Sequence, residues 1–212
     1  MVLPAVAVAA IAPRVIIPGF FVGRQIQKGG SMESIVYSSV FTVFFISAVM
    51  TAFGPTPLLA LIPAIACIAY GLMGAYPDQA DLWRHSDWLL TTPLMLVAIL
   101  YANGAPLDVI LSVVVLDVLM VVSGYIGTKV KSPVETKVYF SAGLLAFLPI
   151  ALVLVQQTQN RIPAFLTLGI WSLYPLVWFL RSASLVEEKY TTLAYGIMDV
   201  VAKVGLVNLL KI

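Results

Sequence analysis

Long apolar runs alternate with short breaks rich in polar residues, proline and glycine along most of the chain. A run of about 20 apolar residues can cross a bilayer as an α-helix. Such runs occur seven times, at about residues 33–53, 56–75, 79–101, 105–127, 134–156, 161–182 and 188–211. The breaks between them, such as residues 54–56, 103–106 and 157–160, are short. The pattern predicts an all-α fold, a bundle of seven transmembrane helices.

Residues 1–32, which precede the first run, do not fit this pattern. Their first 21 residues are apolar but include three prolines and Arg14, and a proline inside a helix costs about 3 kcal/mol. A signal peptide carries positive charge before its apolar region, whereas residues 1–12 have no basic side chain. We therefore expect residues 1–32 to form an interfacial segment over one end of the bundle, and residues 33–212 to form the helical domain.

The composition is typical of a protein embedded in a membrane. Hydrophobic residues make up 61% of the 212 residues and charged residues only 10%, whereas a soluble domain carries about 25% charged residues. The net charge of +2 and the lack of a basic run argue against a nucleic-acid partner. The single cysteine, Cys67, excludes a disulfide framework and is expected to be a packing residue. We expect an integral, multi-pass membrane protein surrounded by lipid.

Four ionisable residues lie well inside the predicted spans: Asp87, Asp117, Asp199 and Lys203. A charge at the bilayer centre costs about 2.5–3.5 kcal/mol or more, so such residues pair with one another and usually mark a functional site. Asp199 and Lys203 are four residues apart and share one helix face. A buried lysine that loses its proton is a nucleophilic amine, which can form a Schiff base with an aldehyde. Asp87 would bring a second carboxylate from another helix.

Aromatic residues accompany these charges. Trp171, Tyr174 and Trp178 recur at helical spacing in the sixth run, and Trp88 follows Asp87 directly. An aromatic stripe alone more often packs a core than it lines a cofactor pocket. Beside an intramembrane lysine and two carboxylates, however, the stripe favours a pocket.

The segment Arg84–Leu94, with the sequence RHSDWLLTTPL, resembles the counterion helix of the microbial (type 1) rhodopsins. The sixth run and the Asp199–Lys203 pair match the same family. Further matches are Pro63–Ala66 and Tyr70 in the second run, and Asp117, Met120 and Gly124 in the fourth. The resemblance extends over about residues 33–212. It implies a retinal-binding photoreceptor rather than an enzyme, in a short viral-type or otherwise divergent member of the family.

The resemblance also implies a role for each matching residue. All-trans retinal would be bound as a Schiff base on Lys203, with Asp87 and Asp199 as its counterions. Arg84 would be the charged neighbour on the exit side, and Thr91 would support ion movement from Asp87. The remaining matches would bind the cofactor: Trp88, Met120, Gly124, Trp171, Tyr174 and Trp178 as pocket walls, Tyr70 hydrogen-bonded to Asp199, and Thr92 hydrogen-bonded to Asp117 beside the ring.

The sequence departs from the outward proton pumps of this family at two places. A carboxylate usually lies eleven residues after the counterion, where this chain has Ala98, and the apolar residues expected to close that half are Leu94, Val97, Leu100 and Leu206. Lys203 therefore lacks the usual internal proton donor. On the exit side, Thr191 replaces a common glutamate. The residues Glu187 and Glu188 could substitute for it or belong to a solvated loop, and His85, the single histidine, is expected to be structural.

The residues do not decide among three possible functions. The first, which we rank highest, is light-driven ion translocation, most simply of protons. The second is a light-gated cation channel, since some short viral rhodopsins conduct cations, although the second run lacks acidic residues. The third is a photosensor that acts through a separate transducer. A homo-oligomer is expected in each case.

Membrane orientation also stays open. The family's usual orientation places Arg161 and Lys211 inside and most other loop cations outside, namely Arg14, Arg24, Lys28, Lys129, Lys131, Lys137, Arg181 and Lys189. The positive-inside tendency favours the reverse orientation.

Overall fold

Residues 30–159 and 161–210 are described by the structure, a computed structural model. Their helices are, in chain order, α1 Met32–Ala52, α2 Leu61–Ala75, α3 Ala80–Ala102, α4 Leu107–Lys129, α5 Pro133–Gln157, α6 Arg161–Trp171, α7 Leu173–Ser182 and α8 Glu188–Leu209. Short 3-10 turns at Pro57–Ala60 and Pro77–Gln79 lead into α2 and α3. Because only Ser172 separates α6 from α7, the described residues form seven spans, and the predicted all-α, seven-helix fold is confirmed.

Two parts of the sequence prediction fall outside the described residues. Residues 1–29 contain almost all of the expected interfacial segment, together with Arg14, Arg24 and Lys28. Lys211 also lies outside them. The division of the chain at residue 32 therefore stays a prediction.

The sixth predicted span, residues 161–182, is divided at Ser172 for a reason visible in the sequence. Pro175 has no backbone N–H, so it cannot donate to the carbonyl of Trp171, and its ring crowds that carbonyl. The regular helix stops at Trp171 and resumes at Leu173. This break lies at the level of the aromatic residues that the sequence singles out.

Side-chain caps mark the starts of two helices. Ser31 accepts a hydrogen bond of 3.3 Å from the backbone N–H of Ser34 at the start of α1. Ser132 accepts one of 3.5 Å from the N–H of Glu135 at the start of α5, directly before Pro133. Such contacts satisfy N–H groups that have no partner within the helix. The turn between α3 and α4 contains Gly104 with φ +72°, a conformation that suits glycine.

Consecutive spans pack side by side, and α8 closes the bundle against α1, α6 and α7. The approach of α8 to α1 depends on Gly196, because a Cβ there would lie 3.0 Å from Val40 and 3.1 Å from Val36. Six of the seven spans are long and apolar enough to cross a membrane. The third span, α3, contains Asp81, Arg84 and Asp87 and lies largely buried within the bundle.

The two ends of the bundle differ in character. We call the end with the start of α3 and the start of α8 the Asp81 end, and the opposite end the Asn103 end. Towards the Asn103 end, the core is apolar and tightly buried, with Leu96, Ile99, Leu100, Leu154 and Leu206 all at 0% exposure.

One residue predicted to close this half does not do so. Leu100 and Leu206 lie in the apolar core and Leu94 packs against it, but the side chain of Val97 points away and is 38% exposed. Its position on the outer face of α3 follows from helical periodicity, since Val97 lies about 100° from Leu96 and Ala98 around the helix axis.

Candidate functional site

A buried lysine lies between two buried carboxylates in the interior of the bundle. Lys203, Asp87 and Asp199 are each at most 1% exposed. The Nζ atom of Lys203 donates a hydrogen bond to Oδ2 of Asp87, and it lies 3.4 Å from Oδ1 of Asp199. Each carboxylate stabilises the charge of Lys203 in a medium that would otherwise solvate it poorly. The sequence prediction that α3 and α8 bring these three side chains together agrees with this geometry.

The two carboxylates have very different surroundings. Asp199 accepts hydrogen bonds from the hydroxyl groups of Tyr70 and Tyr174, each at 2.6 Å, and from Nε1 of Trp88 at 3.1 Å. Asp87 accepts a hydrogen bond of 3.2 Å from the Thr91 hydroxyl and the bond from Lys203. Since three neutral donors stabilise its charge, Asp199 is the more firmly fixed anion. Asp87 is therefore the better placed of the two to receive a proton from Lys203.

A cavity of about 880 Å³, a figure that includes its opening, adjoins Lys203. All the predicted pocket walls line it: Trp88, Met120, Gly124, Trp171, Tyr174 and Trp178. Other apolar residues complete the wall, among them Met95, Phe140, Phe147 and Ala202. The cavity fits a long apolar molecule that ends in a group able to react with a lysine amine.

Thr92 and Asp117 join α3 to α4 at the wall of this cavity. The hydroxyl of Thr92 donates a hydrogen bond of 2.6 Å to Oδ2 of Asp117, which is 0% exposed. The other carboxylate oxygen of Asp117 has no hydrogen-bond partner among the described residues. Asp117 makes no ion pair with Lys203 and is not among the residues that line the cavity, so it is connected to the cavity through Thr92 and is not a third counterion.

Phe44 is also part of the site, although no pattern in the sequence indicated it. Its ring is 0% exposed, and its centroid lies 5.6 Å from Nζ of Lys203 and 5.6 Å from the ring of Tyr70. A cation this close to an aromatic ring is attracted by the ring's electron density. The first span looks uniformly apolar in sequence, so only the packing of α1 against α8 identifies Phe44.

An ion-pair network lies between this site and the Asp81 end. Asp81 accepts hydrogen bonds from Arg181 at 2.6 and 3.1 Å, and its Oδ1 lies 3.3 Å from Nη1 of Arg84. Arg181 also donates a bond of 2.7 Å to Glu188. The spacing of Asp81 and Arg84 on one helix could have suggested their contact. The partnership with Arg181, 100 residues away along the chain, had no sequence signal.

The other residues considered for this end have local partners. Thr191 is 2% exposed and its hydroxyl donates to the backbone carbonyl of Glu188 at 2.8 Å. Glu187 pairs with Lys189 at 2.7 Å on the outside of the bundle. Nδ1 of His85 donates to the backbone carbonyl of Asp81 at 2.7 Å, and the His85 ring packs on Trp88 and lines the cavity.

Comparison with known proteins agrees with this architecture. The family model described as "Bacteriorhodopsin-like protein" matches residues 32–211. Sensory rhodopsin-2 of Haloarcula vallismortis is 33% identical over 170 residues, which cover 70% of this chain and 72% of that protein. A bacteriorhodopsin-II-like protein of Haloquadratum walsbyi is 23% identical over 181 residues, 77% of this chain and 74% of its own.

Among solved structures, the proton-pumping rhodopsin of the marine alga Acetabularia acetabulum superposes with a TM-score of 0.78. It is 24% identical, and the match covers 85% of this chain and 93% of that one. At this level of identity, the structural likeness speaks for the fold alone.

Proposed function

This chain belongs to the bacteriorhodopsin-like family, and from that membership we propose that it binds all-trans retinal on Lys203 and moves protons in light. The family binds retinal, and its members are light-driven pumps and photosensors rather than enzymes. The predictions of a microbial rhodopsin, of an integral, multi-pass membrane protein and of a protein that is not an enzyme are therefore confirmed. The residue roles and the mode of action below are proposals.

The observation that carries the proposal is the unequal pair of carboxylates around Lys203. Retinal bound at its Nζ atom would supply light absorption and a light-driven change of geometry at that nitrogen. In the dark, Asp87 and Asp199 would hold a proton on Nζ by balancing its charge. A displacement of Nζ that weakens its charge stabilisation but keeps Asp87 within hydrogen-bond reach would favour transfer of the Nζ proton to an oxygen of the Asp87 carboxylate, leaving Nζ neutral.

Four predicted residues would support this transfer. Thr91 donates to Asp87 and fixes the orientation of its carboxylate. Tyr70 and Tyr174 keep Asp199 anionic through their hydrogen bonds. Arg84 lies on the Asp81 side, where it would respond to the charge of Asp87 after the transfer.

The direction of movement follows from the difference between the two ends. Polar and charged groups continue from Asp87 through Arg84 and Asp81 to Arg181 at the Asp81 end. The other half is closed by apolar side chains at 0% exposure, including Leu96 and Leu206. A proton on Asp87 would therefore leave towards the Asp81 end. The same closure argues against a continuous water-filled pore, and so against the channel.

A photosensor is the second candidate, and Ala98 is the observation that favours it. This half-buried residue stands in the apolar half, where a carboxylate would be needed for fast return of the proton. Slow return suits a signalling state better than rapid pumping. Sensory rhodopsin-2, to which this chain is 33% identical, is a sensor by name.

Voltage clamp of cells that express the protein, with retinal added, separates these functions. A steady photocurrent that keeps its sign across a range of voltages would support a proton pump. Reversal at the equilibrium potential of a cation would indicate a channel, and an absent current in a visibly coloured membrane would indicate a sensor. Asp87→Asn is the control, because it removes the proposed acceptor and should abolish pumping while leaving retinal bound. The expected homo-oligomer in lipid, without nucleic acid, stays a further proposal.

A further inference from the structure

Asp81 contacts two arginines at once, one inside the bundle and one near its surface. The guanidinium of Arg181 from α7 binds both carboxylate oxygens of Asp81, and its Nε donates to Glu188 of α8. Asp81 is thereby tied to two other helices. Its side chain is 18% exposed, compared with 26% for Arg181 and 49% for Glu188. Pairs between planar guanidinium and carboxylate groups with two parallel bonds are the strongest and most directional of their kind.

Arg84 depends on this arrangement for its counter-charge. It is 1% exposed, and its ion pair with Asp81 is complemented by stacking of the guanidinium 4.7 Å above the ring of Tyr195. Although Arg84 is one helical turn from Asp87, it makes no ion pair with Asp87 or Asp199. Its Nε atom has no hydrogen-bond partner among the described residues. An uncompensated buried charge is costly, so loss of Asp81 would favour pairing of Arg84 with another nearby carboxylate.

We propose that Asp81 is a positioning residue, which holds Arg84 towards the Asp81 end and away from the Lys203 counterions. Arg181 and Glu188 in turn hold Asp81. The position of Arg84 decides how strongly the anionic form of Asp87 is stabilised, because an opposite charge at 4–6 Å favours ionisation of a carboxyl. The inference rests on the proposed role of Asp87 as counterion to Lys203.

Other ionisable groups lie near Asp81, Arg84 and Asp87, and they are left unchanged in the titration described below. Tyr37 of α1, Tyr70 of α2 and Tyr195 of α8 lie near Arg84. Arg181 of α7, together with His85 and Arg84 on its own helix, lies near Asp81. Lys203 and Asp199 of α8 face Asp87. Each substitution therefore has to be compared with one that keeps the charge.

The test is a titration of the visible absorption band of the retinal-loaded protein in detergent, which requires no transport. Acid should shift the band to the red when Asp87 becomes protonated. In Asp81→Asn, Arg84 is free to pair with Asp87, and the midpoint of this transition should move to lower pH by about one unit or more. Asp81→Glu retains the carboxylate and should stay close to wild type. In Arg181→Gln, Arg84 is the remaining arginine partner of Asp81. The two should pair more closely, and the midpoint should move to higher pH.

A double-mutant cycle separates positioning from the direct effect of the Asp81 charge. If Asp81 acts through Arg84, the shift caused by Asp81→Asn should largely disappear in an Arg84→Gln background. The inference is overturned if Asp81→Asn leaves the midpoint unchanged, or if the shift is equal in both backgrounds. A wild-type protein without a visible band or without an acid transition would refute the proposed function, and this inference with it. Visible colour in each variant shows that it has folded.

Discussion

Tyr174 donates a 2.6 Å hydrogen bond to Oδ1 of Asp199, the same oxygen that lies 3.4 Å from Nζ of Lys203. One oxygen of Asp199 therefore contacts both a residue of the cavity wall and the charged amine of Lys203. Trp88 donates to this oxygen as well, at 3.1 Å. The position of this oxygen is therefore determined by α3, α7 and α8 together, while Tyr70 of α2 donates to the other oxygen of Asp199. The first predictions concern this centre.

Lys203→Ala should abolish covalent retinal binding and visible absorbance completely. The other lysines among the described residues, Lys129, Lys131, Lys137 and Lys189, lie near the Asp81 end at the boundaries of helices and cannot replace it. The measurement is the absorption spectrum after incubation with all-trans retinal. Lys189→Ala is the matched control and should give a coloured protein. A coloured Lys203→Ala protein would refute the assignment of the retinal-binding residue.

Tyr174→Phe should destabilise the retinal-loaded protein by about 1.5–3 kcal/mol, the usual contribution of a hydrogen bond to a charged group. The substitution keeps the aromatic ring in the cavity and removes one of three donors to Asp199. Thermal bleaching, followed by the loss of visible absorbance, measures the effect. Tyr125→Phe is the control, because no side-chain hydrogen bond of Tyr125 is present in the described part of the chain. Equal bleaching of both variants would show that Tyr174 does not stabilise Asp199.

Met95 and Ala202 predict the colour of the protein. Both are at most 1% exposed, both line the cavity and neither has a polar group. Without a side-chain dipole at these positions, positive charge can spread along the bound polyene, and we expect absorption in the green. Met95→Gln should shift the band to the blue, while Met95→Leu, which stays apolar, should not. A wild-type maximum in the blue at neutral pH would contradict this interpretation.

Helical periodicity predicts much of this structure, because the residues that are buried together and those that share a chemical role are spaced regularly within single helices. The spans, the face shared by Asp199 and Lys203, and the aromatic face of the sixth span all depend on spacing within one helix. Contacts between helices were predictable only where the family resemblance supplied them, as for Tyr70 with Asp199. The sequence predicts Arg181 only as a loop charge, since spacing along the chain does not show that α7 ends beside the start of α3.

Ala98 gives the last prediction, which concerns how Lys203 recovers its proton. The return path passes the Asn103 half, where the apolar core includes Leu96, Leu100 and Leu206 at 0% exposure. With no carboxylate in place of Ala98, the proton must come from bulk water that enters this half. The light-induced state in which Lys203 has lost its proton should therefore decay slowly. Its decay should slow further as pH rises, because the concentration of available protons falls.

Ala98→Asp should accelerate this decay and make it less dependent on pH, since a carboxylate in the apolar half can store a proton close to Lys203. Ala98→Asn is the matched control, because asparagine is close to aspartate in size and is polar but has no acidic proton to donate. The decay in this variant should remain slow. Flash photolysis of the three proteins from mildly acidic to mildly alkaline pH makes the comparison. Fast, pH-independent decay in the wild type would mean that another residue donates the proton. In that case a polar route for the proton must exist through the half of the bundle that Leu96, Leu100 and Leu206 close in this structure. The argument that Lys203 recovers its proton slowly, which favours the photosensor, would then fail.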